Sequence, residues 1–173
     1  MYLVSLYFDE KTNNIIQNYI NHVAEKTGNT FMAEGKVPPH MTVLAFETKN
    51  EEQVMEVLEK VIAELKKGRF QLVAVGEFFP QVIYLVPVLN EYLHTISRKL
   101  YDSMKGIEDT KMSPYYRPFQ WLPHVTIGKQ LSKEQMEQAF LTMQSEFSIC
   151  EGEVVKIGVA KTNPYRDIFI KKV

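Results

Sequence analysis

Cysteine is almost absent from this chain of 173 residues, which contains only Cys150. A single cysteine cannot form an internal disulfide, and it leaves a thiolate metal site without enough ligands. No neighbouring residue suggests that the thiol is activated as a nucleophile. We therefore expect Cys150 to be a buried thiol without a chemical role.

A strong net charge and long apolar runs are also lacking. The formal net charge is −1, so any specificity for phosphate must come from a local cluster of residues. No apolar run is long enough to cross a bilayer, and the N-terminus has no basic leader or small-residue cleavage site. We expect a cytoplasmic protein with no membrane partner and no obligate protein partner. Its 45% hydrophobic content can supply a sizeable core.

Histidine is scarce as well, yet two of the four histidines have matching surroundings. The two segments read Pro38-Pro39-His40-Met41-Thr42-Val43-Leu44 and Leu122-Pro123-His124-Val125-Thr126-Ile127-Gly128. Successive side chains of a strand point to opposite faces, so a histidine and a threonine two positions apart project together. Each motif therefore presents one imidazole and one hydroxyl. The other histidines, His22 and His94, lie in helical segments and are expected to be surface or structural residues.

The chain has the pattern of a duplicated unit. A similar apolar strand lies upstream of each motif, at nearly the same distance, over residues 2–8 and 83–88. We predict one bilobal domain over residues 1–173 with approximate internal repeats 1–80 and 81–173. Each copy has the order strand, helix, loop, His-x-Thr strand, helix, strand. An approximate two-fold relation between the copies would place His40 opposite His124.

Apolar spacing and end signals predict the individual elements. Helices are predicted over 12–26, 51–66, 91–104 and 133–146, and further strands over 70–75, 154–159 and 168–170. Asp9 or Thr12 can begin the first helix, and Gly28 and Gly68 are expected to end the first two. Ser132 and Gln135 form the pattern of a capping box. Pro87 should lie at the end of its strand or on an edge.

Aromatic and basic residues surround the second motif. Residues 113–121 include two prolines and four aromatic residues, which predicts an ordered loop with no regular element. Aromatic rings interleaved with cations suit a nucleobase stacked beside its phosphate. The candidates for these contacts are Lys111, Tyr115, Tyr116, Arg117, Phe119, Trp121 and Lys129, and among them we select Tyr115, Tyr116, Arg117 and Lys129 as substrate-binding residues. Phe119 and Trp121 are equally compatible with closing the core beneath the His124 strand.

Metal binding is the competing use of two histidines. Threonine is a poor ligand, and Met41 and Val125 point away from the histidines. The chain contains no His-x-His or His-x-x-x-His pair and no cysteine cluster. We therefore predict neither a metal site nor any other cofactor.

Together, the paired motifs and their spacing over a duplicated chain resemble the 2H phosphoesterase superfamily, in particular its 2′-5′ RNA ligase-like branch. The resemblance extends over nearly the whole chain and includes residues 76–85 and the helix after them. Departures are small: Lys129 follows the second motif, and Val-Leu-Ala-Phe follows Thr42. The resemblance implies an α+β fold of two antiparallel sheets with flanking helices around a central cleft, related by a pseudo-two-fold. It also implies metal-free hydrolysis of a cyclic phosphodiester, or the cleavage and reversible formation of 2′-5′ linkages in RNA.

Two imidazoles suit acid-base catalysis of phosphoryl transfer, because one can remove a proton while the other donates one. The threonine hydroxyls can bind the non-bridging oxygens. We therefore predict a metal-independent phosphodiesterase with His40, His124, Thr42 and Thr126 as catalytic residues. Its substrate would be an RNA end or small nucleotide with a 2′,3′-cyclic phosphate or a 2′-5′ linkage. Two alternatives remain: a non-catalytic module that binds phosphate or RNA ends, and a structural duplicated domain with unused histidines and no cleft.

Overall fold

The computed structural model describes residues 1–35, 37–162 and 165–173 as four helices and eight strands. The elements are, in chain order, β1 (Tyr2–Phe8), α1 (Glu10–Thr27), β2 (His40–Thr48), α2 (Glu51–Glu64), β3 (Gly68–Phe78), β4 (Val82–Pro87), α3 (Glu91–Ser103), β5 (Thr110–Met112), β6 (Val125–Gly128), α4 (Lys133–Glu146), β7 (Cys150–Lys161) and β8 (Arg166–Lys172). The order β1-α1-β2-α2-β3 recurs as β4-α3-β6-α4-β7, with β5 inserted, which is the order predicted for each half.

The fold is α+β and every strand pairing is antiparallel. The strands form one hydrogen-bonded sheet in the order β5-β2-β1-β7-β3-β4-β6, with β8 also paired to β7. Strand β7 is twelve residues long. Its first part, Cys150–Val154, pairs with β3, Val154 and later residues pair with β1, and residues from Lys156 onward also pair with β8. The two predicted sheets are thus joined along β7. The pseudo-two-fold relation itself stays a prediction.

Several end signals act as predicted. The Asp9 carboxylate accepts a hydrogen bond from the Thr12 backbone N–H and begins α1, and Gly28 ends it in the left-handed conformation at φ 70°. Ser132 and Gln135 form both hydrogen bonds of a capping box at the start of α4. Pro87 is the last residue of β4.

Three expectations about local structure were wrong. Helix α2 ends at Glu64 because Leu65 is already extended, and Gly68 begins β3 instead of ending the helix. The Tyr92 ring occupies the place of a Cβ at Gly68, so close packing explains this glycine. Pro114–Tyr116 forms a short 3₁₀ turn within residues 113–121, where no regular element was expected. Strand β5 lies just before that segment and was not predicted. Strand β5 depends on pairing with β2, which local sequence does not reveal.

Alternation along β1 separates the two faces of the sheet. Val4 and Leu6 are fully buried in the apolar core that the sheet shares with all four helices. Ser5 and Tyr7 point to the opposite face, where they lie across from Thr42 and His40. Among the described residues, no helix is long and apolar enough to span a membrane.

Trp121 ties the loop before β6 to β2. Its indole is buried, and Nε1–H donates a hydrogen bond to the Thr42 backbone carbonyl at 3.1 Å. The loop that leads to His124 is therefore anchored on the strand that carries His40. Trp121 thus closes the core, which was one of its two expected roles. Phe119 does not, because 82% of its surface is exposed.

We predict that Trp121→Phe lowers the free energy of unfolding by about 1–3 kcal/mol, because it leaves the buried Thr42 carbonyl without its donor. Urea denaturation would measure the loss. Phe119→Leu changes an exposed aromatic residue of the same loop and should cost less than about 0.5 kcal/mol. Equal losses in the two variants would contradict the anchoring role of Trp121.

Candidate active site

Strand pairing places the first motif beside β1. His40 begins β2 directly opposite Tyr7, and Thr42 lies opposite Ser5. The imidazole of His40 and the ring of Tyr7 are tilted at a centroid distance of 6.1 Å. The hydroxyls of Thr42 and Ser5 are 3.4 Å apart, and both residues are buried. The neighbouring strand therefore restricts both groups of this motif.

The second motif lies beside β4. His124 immediately precedes β6, and Thr126 lies opposite Tyr84. The imidazole of His124 packs edge-on against Phe78 and Tyr84, at centroid distances of 4.9 and 5.4 Å. Gly76 makes room for this stack, because a Cβ there would lie 2.8 Å from the Tyr84 ring.

Both histidines make the same hydrogen bond with the backbone. Nδ1 of His40 bonds to the carbonyl of Pro38, and Nδ1 of His124 to the carbonyl of Leu122, each at 2.9 Å. A carbonyl oxygen only accepts, so Nδ1 must carry the proton in each ring. Nε2 is then the nitrogen that can exchange a proton with a substrate. The proline between carbonyl and histidine has a fixed φ, which explains its presence in both motifs.

The pKa values of both imidazoles are lowered. Burial lowers the pKa of His40 below its usual 6.5 and is the main cause of the lowered pKa of His124. His40 lowers the pKa of His124 further through charge repulsion, and β2 and β6 are in contact. The fold therefore brings the two motifs close enough to interact. Near pH 7, with no anion bound, both rings are mostly neutral.

A pocket of about 340 Å³ lies beside His124. Its lining residues are Phe78, Tyr115, Tyr116, Gln120, Trp121, Leu122 and His124. Tyr115 is 80% exposed, whereas Tyr116 is half-buried and packs against the core. The pocket thus collects two of the four residues that we selected for substrate binding.

The basic candidates lie elsewhere. Arg117 is exposed just after the 3₁₀ turn and does not line this pocket. The Lys129 ammonium lies 5.9 Å from the centre of the Phe31 ring. Lys111 lies on β5 opposite Glu47. The predicted basic cluster around the second motif therefore does not assemble at the pocket.

Four neighbours of the motifs were not identified from the sequence: Ser5, Tyr7, Phe78 and Tyr84. Tyr7 and Tyr84 belong to the two upstream strands on which the duplication was based. Their contacts with the histidines depend on strand register, which is set by long-range pairing. The sequence therefore predicted the two strands, but it did not predict which of their side chains contact the histidines.

The remaining candidate groups have structural contacts. The ring of His22 pairs with the Glu146 carboxylate, joining α1 to α4. His94 lies against Phe119 at a centroid distance of 4.3 Å. Cys150 is half-buried, and burial raises the pKa of its thiol, which disfavours the thiolate. Within residues 1–35, 37–162 and 165–173, no three His, Cys, Asp or Glu side chains cluster as metal ligands would.

A larger cavity of about 1070 Å³ lies away from the histidines. It runs between α4 and the β3-β4 hairpin and includes Met136, Phe140 and Phe79 in its lining. Neither His40 nor His124 lines it, and neither motif threonine does.

Comparisons with known proteins agree with this arrangement. A model of the 2′-5′ RNA ligase superfamily matches residues 16–165. The fold is similar to that of a protein described as a phosphoesterase, with a TM-score of 0.62 and 13% identity over 99% of this chain and 97% of the other. It is also similar to E. coli LigT solved with ATP (TM-score 0.58, 14% identity, 99% and 96% covered) and with 3′-AMP (0.55, 13%, 99% and 96%).

No curated protein matches the sequence significantly. At identities of 13–14%, the solved structures establish similarity of fold alone. The family model, however, spans most of the chain and includes both His-x-Thr motifs. On that basis the chain belongs to the 2′-5′ RNA ligase superfamily.

Proposed function

We propose that this protein is a metal-independent phosphodiesterase that acts on 2′,3′-cyclic phosphates or 2′-5′-linked nucleotides at RNA ends. Membership of the superfamily indicates an enzyme of the phosphoesterase type. The proposed reaction rests on the observation that His40 and His124 have the same local structure. Each ring is held through Nδ1 by a backbone carbonyl, and each has a threonine hydroxyl two residues away.

In the hydrolysis of a 2′,3′-cyclic phosphate, Nε2 of one histidine takes a proton from water as the water oxygen bonds to phosphorus. The bond between phosphorus and one ring oxygen breaks. The other histidine, protonated at Nε2, gives its proton to that leaving oxygen. Proton exchange with solvent then restores the starting states.

The same groups can act on a 2′-5′ linkage. There the neighbouring 3′-hydroxyl loses its proton and attacks phosphorus, while the 5′-oxygen takes a proton and leaves. The products are a 2′,3′-cyclic phosphate and a 5′-hydroxyl, and the reverse reaction forms the linkage. Ligation and cleavage therefore use one arrangement of acid and base.

Thr42 and Thr126 are proposed to hydrogen-bond the non-bridging oxygens of the reacting phosphate. Each lies on the same side of its strand as the histidine. Contact with Ser5 restricts the hydroxyl of Thr42, so less ordering is needed when phosphate binds. A cyclic phosphodiester carries a single negative charge, which hydroxyl donors can stabilise without a divalent ion.

A nucleotide substrate has support from the pocket and from the relatives. Phe78 and Tyr115 give the pocket beside His124 aromatic walls, which suit a nucleobase of any type. E. coli LigT has been solved with ATP and with 3′-AMP, both of which are nucleotides. We therefore propose that the base of the substrate lies in this pocket while its phosphate lies between the histidines.

We predict that His40→Ala and His124→Ala each lower kcat by about 10² or more, because each removes one proton-transfer partner. The double variant should be little worse than either single variant, since the two groups act in one transfer. Thr126→Val should cost less, because it removes one hydrogen bond. Turnover of 2′,3′-cyclic AMP in EDTA measures these effects and tests metal independence.

His22→Ala is the matched control, because His22 pairs with Glu146 away from both motifs. It should keep wild-type turnover. Unchanged turnover in the His40 and His124 variants would contradict their assignment as catalytic residues. Tight binding of cyclic phosphates by a wild-type protein that never opens them would favour the non-catalytic binding module.

The lowered pKa values of His40 and His124 predict an acidic optimum for kcat/KM. The productive free enzyme carries one proton on the pair, and this form is most abundant between two macroscopic pKa values that lie below about 6.5. Activity should fall at lower pH as both rings become protonated, and at higher pH as neither is. Because a bound phosphate anion raises both pKa values, the kcat optimum should lie at higher pH than the kcat/KM optimum. A kcat/KM maximum above pH 7 would contradict this assignment.

Tyr115→Ala should raise KM for a nucleotide substrate about tenfold and leave kcat nearly unchanged, because stacking stabilises substrate and transition state alike. Tyr115 suits this test better than Tyr116, whose ring also packs against the core. Phe119→Ala is the control, since Phe119 lies in the same loop but does not line the pocket. A ribose 2′,3′-cyclic phosphate without a base should be insensitive to both changes. Equal effects on substrates with and without a base would exclude stacking.

A further inference from the structure

A row of four residues crosses the sheet from His40. Tyr7 on β1 is paired with His40 on one side and with Lys156 on the other, and Lys156 is paired with Lys172 on β8. Directly paired residues of neighbouring strands project to the same face. Lys156 and Lys172, which we call the lysine pair, therefore lie on the face that carries His40.

The distances suit an extended substrate. Neighbouring strands are about 4.8 Å apart, so Lys156 lies about 10 Å from His40 along the row and Lys172 about 14 Å. Both lysines are exposed. Tyr7 lies between them and His40, and burial raises the pKa of its phenol, so the phenol itself is uncharged. The Asp167 carboxylate is close enough to raise the pKa of Tyr7 further, so one anion lies beside the middle of the row.

The charge of the lysine pair is not neutralised. Among the residues that the structure describes, neither Lys156 nor Lys172 forms an ion pair with a carboxylate. The carboxylate of Asp167, further along β8, accepts a hydrogen bond from Tyr165 at 2.8 Å. Like charges directly opposite each other on neighbouring strands repel, and a bound anion between them would relieve that repulsion.

Strands β7 and β8 also carry a second pair of directly opposed cations, which does have a carboxylate partner. Lys161 and Arg166 are also directly paired, but they lie on the helix-covered face, where Tyr2 is opposite Lys161. Glu51 of α2 lies 3.6 Å from each of these two cations. One cationic pair of the hairpin thus shares a carboxylate within the protein, whereas no ion pair is described for the pair on the His40 face.

We propose that the lysine pair binds a second phosphate of the substrate, so that an oligonucleotide is bound in preference to a mononucleotide. This inference rests on the proposed function, because it assumes that the reacting phosphate lies at His40. The aromatic pocket beside His124 would then hold a base, and the phosphates of the continuing chain would lie along the row from His40. The reaction would keep its mechanism and gain a preference for chain length.

The test uses a trinucleotide that ends in a 3′-phosphate and carries a 5′-fluorescein, and fluorescence anisotropy measures its binding. Competition with 3′-AMP, which has a single phosphate, measures the affinity for a mononucleotide. In the Lys156→Ala/Lys172→Ala double variant, trinucleotide affinity should fall about tenfold at low salt. The slope of log K against log salt should become shallower by about 0.7 for each phosphate that the variant no longer binds. Affinity for 3′-AMP should stay at the wild-type value.

Lys171→Ala is the matched single control for Lys172→Ala, because Lys171 is the next residue of β8 and lies opposite the buried Ile157. For the double variant, Lys99→Ala/Lys171→Ala makes the same change in net charge, with Lys99 on α3. Both controls should bind the trinucleotide as the wild type does. Equal losses in the lysine-pair variants and their controls, or an equal loss of 3′-AMP affinity, would overturn the proposal.

Turnover separates this inference from the proposed function. If the wild type opens 2′,3′-cyclic AMP and the lysine-pair variants bind the trinucleotide normally, the reaction stands and the second phosphate site is refuted. If the wild type opens no cyclic phosphate but the variants lose trinucleotide affinity selectively, the phosphate site stands and the proposed reaction fails.

Discussion

The hydrogen bond from Nδ1 of each motif histidine to the carbonyl two residues earlier is the constraint on which the candidate site depends. It fixes the proton on Nδ1 and thereby leaves Nε2 of both rings as the nitrogen that is free to accept a proton. Proline at the intervening position limits the backbone, and the strand that follows orients the threonine. A short sequence thus determines tautomer, ring position and hydroxyl position together, and the chain contains that sequence twice.

The two motifs have different surroundings. Around His124 the strands supply two aromatic rings, Phe78 and Tyr84, that pack against the imidazole. Around His40 the corresponding row runs through Tyr7 to two exposed lysines. A nucleotide has the same division, with an apolar base and an anionic backbone. Under the proposed function, this asymmetry between the halves would orient the substrate, which the repeated motifs alone would not do.

Local sequence predicted the helices well because their signals are local. The capping box at Ser132 gave the start of α4, and Asp9 and Gly28 bound α1. The joined sheet was not predicted, since it depends on β7 being long enough to pair with strands from both halves. The same limit applied to the site: the motifs were visible in the sequence, but Tyr7 and Tyr84 reach the histidines only through strand register. The basic residues near His124 were chosen by proximity in sequence, whereas Lys156 and Lys172 are brought to the row of His40 by strand register, which the sequence does not reveal.

Burial of the two imidazoles disfavours their protonated forms, and a bound phosphate can offset this effect. Burial lowers both pKa values, so near neutral pH the free protein holds little of the protonated histidine that a general acid requires. A phosphodiester anion between the rings favours the charged form of an imidazole and raises its pKa. The substrate would therefore help to generate the acid that protonates its own leaving oxygen. In the proposed reaction, this coupling would tie proton uptake to occupancy of the site, while the empty pair stays mostly neutral.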